Sequence, residues 1–204
     1  MVKVKLTNDP TLAFDIKEAI DATRTCYDSF HKSDSEGIYI GKDDKNLLRN
    51  IMKAGHYTPF EFIQLKFSIE DLTRAILQEL VRHRTATYNV KSSRYTLKRM
   101  KDDVLDNLDK YFYTDLPMYK EYLVMIFNFI EENNLWELPN DKLKFYMPES
   151  LYCDLRMTIN FRNFIHFHKL RSSDHAHFLI RDLAEKMYGT LSPFLKELAD
   201  LSEV

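Results

Sequence analysis

The sequence predicts an α+β fold in one domain spanning residues 1–204. Helical apolar periodicity over most of the chain, a period-two alternation at residues 60–69 (FEFIQLKFSI) and a shorter one at residues 2–6 carry that prediction. A domain of this size buries roughly 70% of its unfolded surface, so it can fold without disulfides or metals.

Along the chain, residues 2–6 read as a short strand, and Asn8-Asp9-Pro10 breaks it. Residues 11–26 form an amphipathic helix with Leu12, Ile16, Ala19, Ile20 and Thr23 on one side. Residues 29–45 are polar, hold two of the four glycines and are expected to be a mobile loop. A short helix at 46–54 ends at Gly55, and Pro59 favours an extended approach to the strand at 60–69. Residues 72–84 return to helical period, 85–95 are β-prone and then polar, and 119–133 are strongly helical. Residues 151–170 read as helix, with Ser173 or Asp174 capping a last helix that runs to about Tyr188.

The net charge of −2 gives no reason to expect nucleic acid or an anionic membrane as partner, so any anion site must be a local cluster of cations. The start, MVKVKLTNDPTLAF, lacks the apolar core of a signal peptide, and no apolar run is long enough to span a bilayer. Cys26 and Cys153 form no metal-finger spacing and suit a reducing compartment, so a cytoplasmic location is expected.

Six of the seven histidines fall in three segments: HYTPFE at 56–61, RHR at 82–84 and HFHKLRSSDHAH at 166–177. Arg82 and Arg84 would lie about 200° apart on a regular helix, so a helix ending here lets them address different groups. Lys91-Ser92-Ser93-Arg94 offers cations, hydroxyls and successive backbone N–H groups, which suits a phosphate monoester; a solvated basic turn has the same composition. His166/His168 and His175/His177 are His-x-His pairs on helical pattern. Their members point about 200° apart, so no shared metal is expected. Arg171, beside the Ser-Ser-Asp cap, either reaches into a cleft or caps helix carbonyls.

Together these segments resemble the flavin-dependent thymidylate synthase family. Its signature of Arg-His-Arg, seven residues and Ser reads RHR-TATYNVK-S here, from Arg82 to Ser92, followed by Ser93-Arg94-Tyr95. Upstream, GHYTPFE matches the family's G-H-x-T-P-F-E. Downstream, Asn160-Phe161-Arg162 and Leu170-Arg171-x-x-x-His175-Ala176 match its N-x-R and L-R-x-x-x-H-A. The four motifs occur in order across residues 55–177.

The resemblance implies an antiparallel β-sheet flanked by helices, the fold of thymidylate synthase-complementing proteins, assembled as a homotetramer with sites shared between subunits. It implies FAD as cofactor, dUMP as substrate, 5,10-methylenetetrahydrofolate as carbon donor and NADPH as reductant. By matched position, Thr58, Arg82, His83, Arg84, Asn160, Arg162 and His175 would contact FAD, as would His166, where the family has Asn. Ser92, Ser93 and Arg94 would hold dUMP, with Arg82 and Lys91 beside them. Arg171 would contact the uracil and stabilise its anion. Three dUMP positions depart from the family pattern: Glu79 stands for Gln, Val90 for Glu and Lys144 for Arg, the last keeping charge but losing bidentate geometry. Those departures also fit a catalytically degenerate nucleotide- or flavin-binding relative. The other class of thymidylate synthase attacks with a cysteine. Neither Cys26 nor Cys153 is placed for that, and structural roles are expected for both; Ser92 is expected to bind rather than attack.

Overall fold

The computed structural model describes residues 2–8 and 11–202, so Asp9 and Pro10 of the expected break lie outside the described residues. The elements run β1 (Lys3–Leu6), α1 (Ala13–Cys26), α2 (Lys42–Lys53), β2 (Gln64–Thr73), α3 (Arg74–Leu80), β3 (Thr87–Val90) and α4 (Ser93–Thr96). They continue with α5 (Leu108–Tyr111), α6 (Tyr119–Glu132), α7 (Asn140–Leu143), β4 (Tyr152–Asn160), α8 (Phe161–Arg171), α9 (Phe178–Gly189) and α10 (Pro193–Asp200). The strands form one sheet in the order β1-β2-β4-β3. The N–H of Phe161 meets the carbonyl of Ile63, and that of Arg74 meets Leu151, so β2 and β4 run antiparallel. The α+β class is as expected.

Two compact units are present. One comprises Met1–Lys3, Ile69–Arg82 and Asn89–Leu155. Its core gathers around α6, where Leu123, Phe127 and Ile130 recur at helical spacing and are fully buried. Phe127 stacks on Trp136 and meets Phe112, with Leu97, Met100, Val104 and Leu143 closing the cluster. The other unit comprises Val4–Ser68, His83–Tyr88 and Arg156–Val204. There α8 presents Phe161, Phe164 and Ile165 to the core, Phe164 stacks on Phe67, and α1, α9 and α10 add Ile16, Ile20, Leu183, Met187, Leu195 and Leu198.

The structure corrects several expectations. Residues 152–160 are a strand rather than the start of a helix. Cys153, Leu155, Met157 and Ile159 are buried and their neighbours are not, a period-two pattern that the helical continuation at 161–171 masked. Thr58–Glu61 forms a 3-10 turn with Pro59 in its first positions, so β2 begins at Gln64 instead of Phe60 and runs on to Thr73. α3 starts later and stops earlier than residues 72–84, with the Thr73 hydroxyl accepting from the Ile76 N–H. α9 starts beyond Ser173 and Asp174, capped by His177, whose Nδ1 accepts from Leu179; α10, capped by Ser192, follows it.

Residues 29–45 contain more structure than a polar loop. Phe30–Lys32 is a 3-10 turn, Glu36 bridges Tyr39, and α2 already starts at Lys42. The Asp34 carboxylate accepts from the N–H groups of Asp43 and Asp44 and so satisfies the start of α2. It lies across Gly41, where an added Cβ would clash with the Asp34 carboxylate and push it off the N–H groups it accepts from. The buried Asp44 carboxylate pairs with the buried Arg24 guanidinium and accepts from Ser33. Burial alone would raise its pKa, but hydrogen bonds from Ser35, Ser33 and Arg24 outweigh it and hold the group below the usual carboxylate value. At the other end of α2, Gly55 at φ +74° permits a Schellman closure, with Gly55 N–H on Met52 and His56 N–H on Ile51.

Removing one member of a buried ion pair strands the other. Asp44→Ala should therefore lower the unfolding free energy by about 3 kcal/mol, read as a drop in urea midpoint at constant m-value.

Candidate active site

The second unit holds most of the positions expected to meet the cofactor. α3 ends at Leu80, so the Arg-His-Arg triplet lies on a turn, with Arg82 and Arg84 exposed and His83 half-buried. The His83 carbonyl accepts from the Ala86 N–H at 3.1 Å and from the Tyr88 hydroxyl at 3.0 Å, and these bonds fix the turn. Its imidazole meets the edge of Phe167 at a centroid distance of 4.9 Å. Its Nε2 accepts a 2.9 Å hydrogen bond from Nε of Arg171, the last residue of α8.

A nitrogen that accepts from a guanidinium cannot carry a proton. Burial first, then the charges of Arg171 and His166, push the His83 pKa down to about 4. His83 is therefore neutral at physiological pH with its proton on Nδ1, and it orients Arg171 without competing for charge. Arg171 thus reaches sideways to a base instead of capping the end of its own helix.

The start of α8 places two more expected residues. The Asn160 side chain caps the helix by accepting from the Asn163 N–H at 2.9 Å. Arg162, the second residue of α8, pairs with Glu61 at 2.5 Å. Arg162 and Thr58 line a cavity of about 280 Å³ together with Thr23, Cys26, Tyr27, Ile51, His56 and Tyr57. That volume falls just below the ~300–1,000 Å³ of small-molecule sites. Its rings, hydroxyl and cation suit one end of a flavin dinucleotide, while a whole dinucleotide needs further walls. The free Cys26 thiol is exposed, lines this cavity and donates to the Ala22 carbonyl. Cys153 is buried, its thiol donates to the Leu72 carbonyl, and burial raises its pKa to about 11.

His166 is exposed on α8, whereas His168 faces inward and stacks between Tyr188 and Phe164. The two point apart, as their spacing predicts. His175 is exposed on the turn between α8 and α9 and His177 caps α9, so this pair lies off the helix on which it was expected. Among the described residues no group of three or more His, Cys, Asp or Glu is arranged to hold a metal ion.

The first unit holds the positions expected to meet dUMP, Arg171 excepted. Glu79 is half-buried on α3, and Gln78 reaches Glu149 instead. Val90 ends β3. Lys91 donates from its backbone to the Asp154 carbonyl and from Nζ to the Asp154 carboxylate at 3.0 Å, so its charge has a partner. Ser92 stands at the N-terminus of α4 and its hydroxyl makes no cap. Arg94 pairs with Asp141 at 2.8 Å, and Lys144 extends from the segment after α7, over the Phe145 ring. Lys91 and Ser93 line a cavity of about 210 Å³ with Arg74, Arg99, Lys110 and Tyr152.

Sequence reading did not single out Tyr88, Arg74 or Arg99. Tyr88 stood in view inside the signature spacer, where a lone aromatic among small polar residues was the available signal. Arg74 and Arg99 lie outside every motif, and only the fold places them on a cavity.

Residues 13–195 match the family described as thymidylate synthase complementing protein. The flavin-dependent thymidylate synthase of Helicobacter pylori is 35% identical over 190 residues, covering 85% of this chain and 87% of that one. The flavin-dependent thymidylate synthase of Wolinella succinogenes is 36% identical over 183 residues, covering 83% and 85%. The crystal structure of thymidylate synthase X from Helicobacter pylori with FAD and dUMP superposes with a TM-score of 0.82 at 29% identity over the full length of both chains. The chain belongs to the flavin-dependent thymidylate synthase family, a family of enzymes.

The depressed pKa of His83 sets a pH dependence. Between about pH 6.5 and 4 the unfolded chain takes up a proton at this residue and the folded chain does not. The contribution of His83 is complete above 6.5 and lost as the pH falls toward 4. Melting temperatures at pH 7.5 and 5.0 should fall further on acidification for the wild type than for His83→Gln.

Proposed function

We propose that this chain converts dUMP to dTMP by reductive methylation, taking the one-carbon unit from 5,10-methylenetetrahydrofolate. The hydrogen bond from Arg171 to a neutral His83 carries this reading, because it holds a permanent cation at a set angle. Uracil C5 is a weak nucleophile, and negative charge on the ring strengthens it. A guanidinium beside the ring stabilises that charge as N3 ionises and keeps its own proton. Arg82, Ser92, Ser93 and Arg94 hold the phosphate and sugar, with Lys91, Lys144, Glu79 and Val90 as further contacts to dUMP. Arg94 then exchanges Asp141 for a phosphate oxygen, an inexpensive exchange because both partners are exposed.

Thr58, Arg82, His83, Arg84, Asn160, Arg162, His166 and His175 hold FAD. When bound, FAD supplies the hydride that completes the methyl group, and NADPH restores it. The protein contributes alignment and fixed charge. The active form is a homotetramer of the single domain, which brings the further walls that the cavity at Thr58 and Arg162 needs. The exposed apolar face of α6, with Tyr122, Met125 and Phe129, supports contact with a second copy. Among the described residues no helix is long and apolar enough to cross a membrane, and two free cysteines suit the cytoplasm.

The purified protein should be yellow, bleach with NADPH and form dTMP from dUMP and methylenetetrahydrofolate. Arg171→Ala should lower kcat by about 10²–10³-fold while the oligomer persists in size-exclusion chromatography. Colourless protein without dTMP formation contradicts the proposal. Flavin and dUMP binding without methyl transfer identifies the degenerate relative instead.

A further inference from the structure

Tyr88 lies between the signature arginines and serine, at a position to which the motif assigns no role. It is the residue through which β3 grips the catalytic turn: its hydroxyl donates to the His83 carbonyl, and the same residue's imidazole accepts from Arg171. Burial raises the Tyr88 pKa to about 12, so the hydroxyl stays a donor throughout the working range. From α8, Phe167 packs against the His83 ring, and Arg171 and His166 are the charged or titratable groups that act on it; Tyr88 is the titratable group on β3.

We infer that Tyr88 and His83 form a positioning relay for Arg171. Tyr88 pins the His83 backbone, and His83 holds the guanidinium by its Nε edge, so that the terminal amino groups face the ionising pyrimidine. This deepens the proposed function and rests on it for the identity of the pyrimidine. The relay itself is a property of three side chains in one chain. Two consequences separate it from simple packing. A neutral acceptor at residue 83 suffices, so Gln can replace His there whereas Leu cannot. Protonating His83 deletes the acceptor and places a cation against Arg171, so turnover falls in acid with this residue's titration.

The test uses the FAD-loaded protein, with rates normalised to flavin absorbance so that loss of cofactor is counted separately. Tyr88→Phe should keep the KM for dUMP within about three-fold and lower kcat by about ten-fold, since loosened alignment acts on the chemical step. Its acid limb should move upward from the wild-type position toward pH 6.5. His83→Gln should lose the limb and keep a higher kcat than His83→Leu, which should resemble Arg171→Ala. In ¹³C-histidine-labelled protein, Arg171→Ala should raise the titration midpoint of His83. Wild-type kcat and acid limb in Tyr88→Phe, or equal rates for His83→Gln and His83→Leu, would overturn the relay. If the wild type forms no dTMP, the proposed function fails, and the histidine titration still decides the relay: an unchanged midpoint in Arg171→Ala rejects it.

Discussion

A guanidinium is held in place by a base that must not be protonated. Arg171 gives Nε–H to His83, and both residues are partly withdrawn from water. The same burial that weakens screening around the cation keeps the imidazole neutral, so one environment supplies both a strong field and its alignment. In water the arginine would turn freely and its charge would be screened over a Debye length of about 8 Å at physiological ionic strength. The reading of the site as one that stabilises a pyrimidine anion depends on this pairing.

The fold serves that pair from two directions. α8 begins with Asn160 as its own cap, buries Phe161, Phe164 and Ile165 in the core, and so delivers Arg171 at its far end on a rigid element. Tyr88 on β3 fixes the turn that carries His83. The segment 29–45, which reads as loose polar sequence, is organised by two carboxylates: Asp34 satisfies the start of α2, and Asp44 anchors Arg24. α2 in turn ends at Gly55, which leads into the histidine, tyrosine and threonine of the cavity at Arg162.

Much of this was legible in the sequence, and the failures have physical causes. The alternation in β2 and the heptad-like stripe of α6 announced themselves because each keeps one period over most of its length. β4 escaped because its alternation runs without a break into an amphipathic helix, with Asn160 as the only boundary mark. The order inside residues 29–45 escaped because side-chain carboxylates create it, and they leave no periodicity. Within the site, the motifs pointed to Arg171 and His83 separately. That one donates to the other depends on a contact across 88 residues, which only the fold reveals. The placement of Lys91 against Asp154 and Arg94 against Asp141 has the same origin, since neither acid belongs to a motif.

The most direct measurement is a crystal structure of this protein with FAD and dUMP bound. The expected map shows the uracil edge against the terminal amino groups of Arg171, with its Nε still on His83. A map with the pyrimidine bound elsewhere, or with Arg171 swung away from His83 onto solvent, would contradict the central claim.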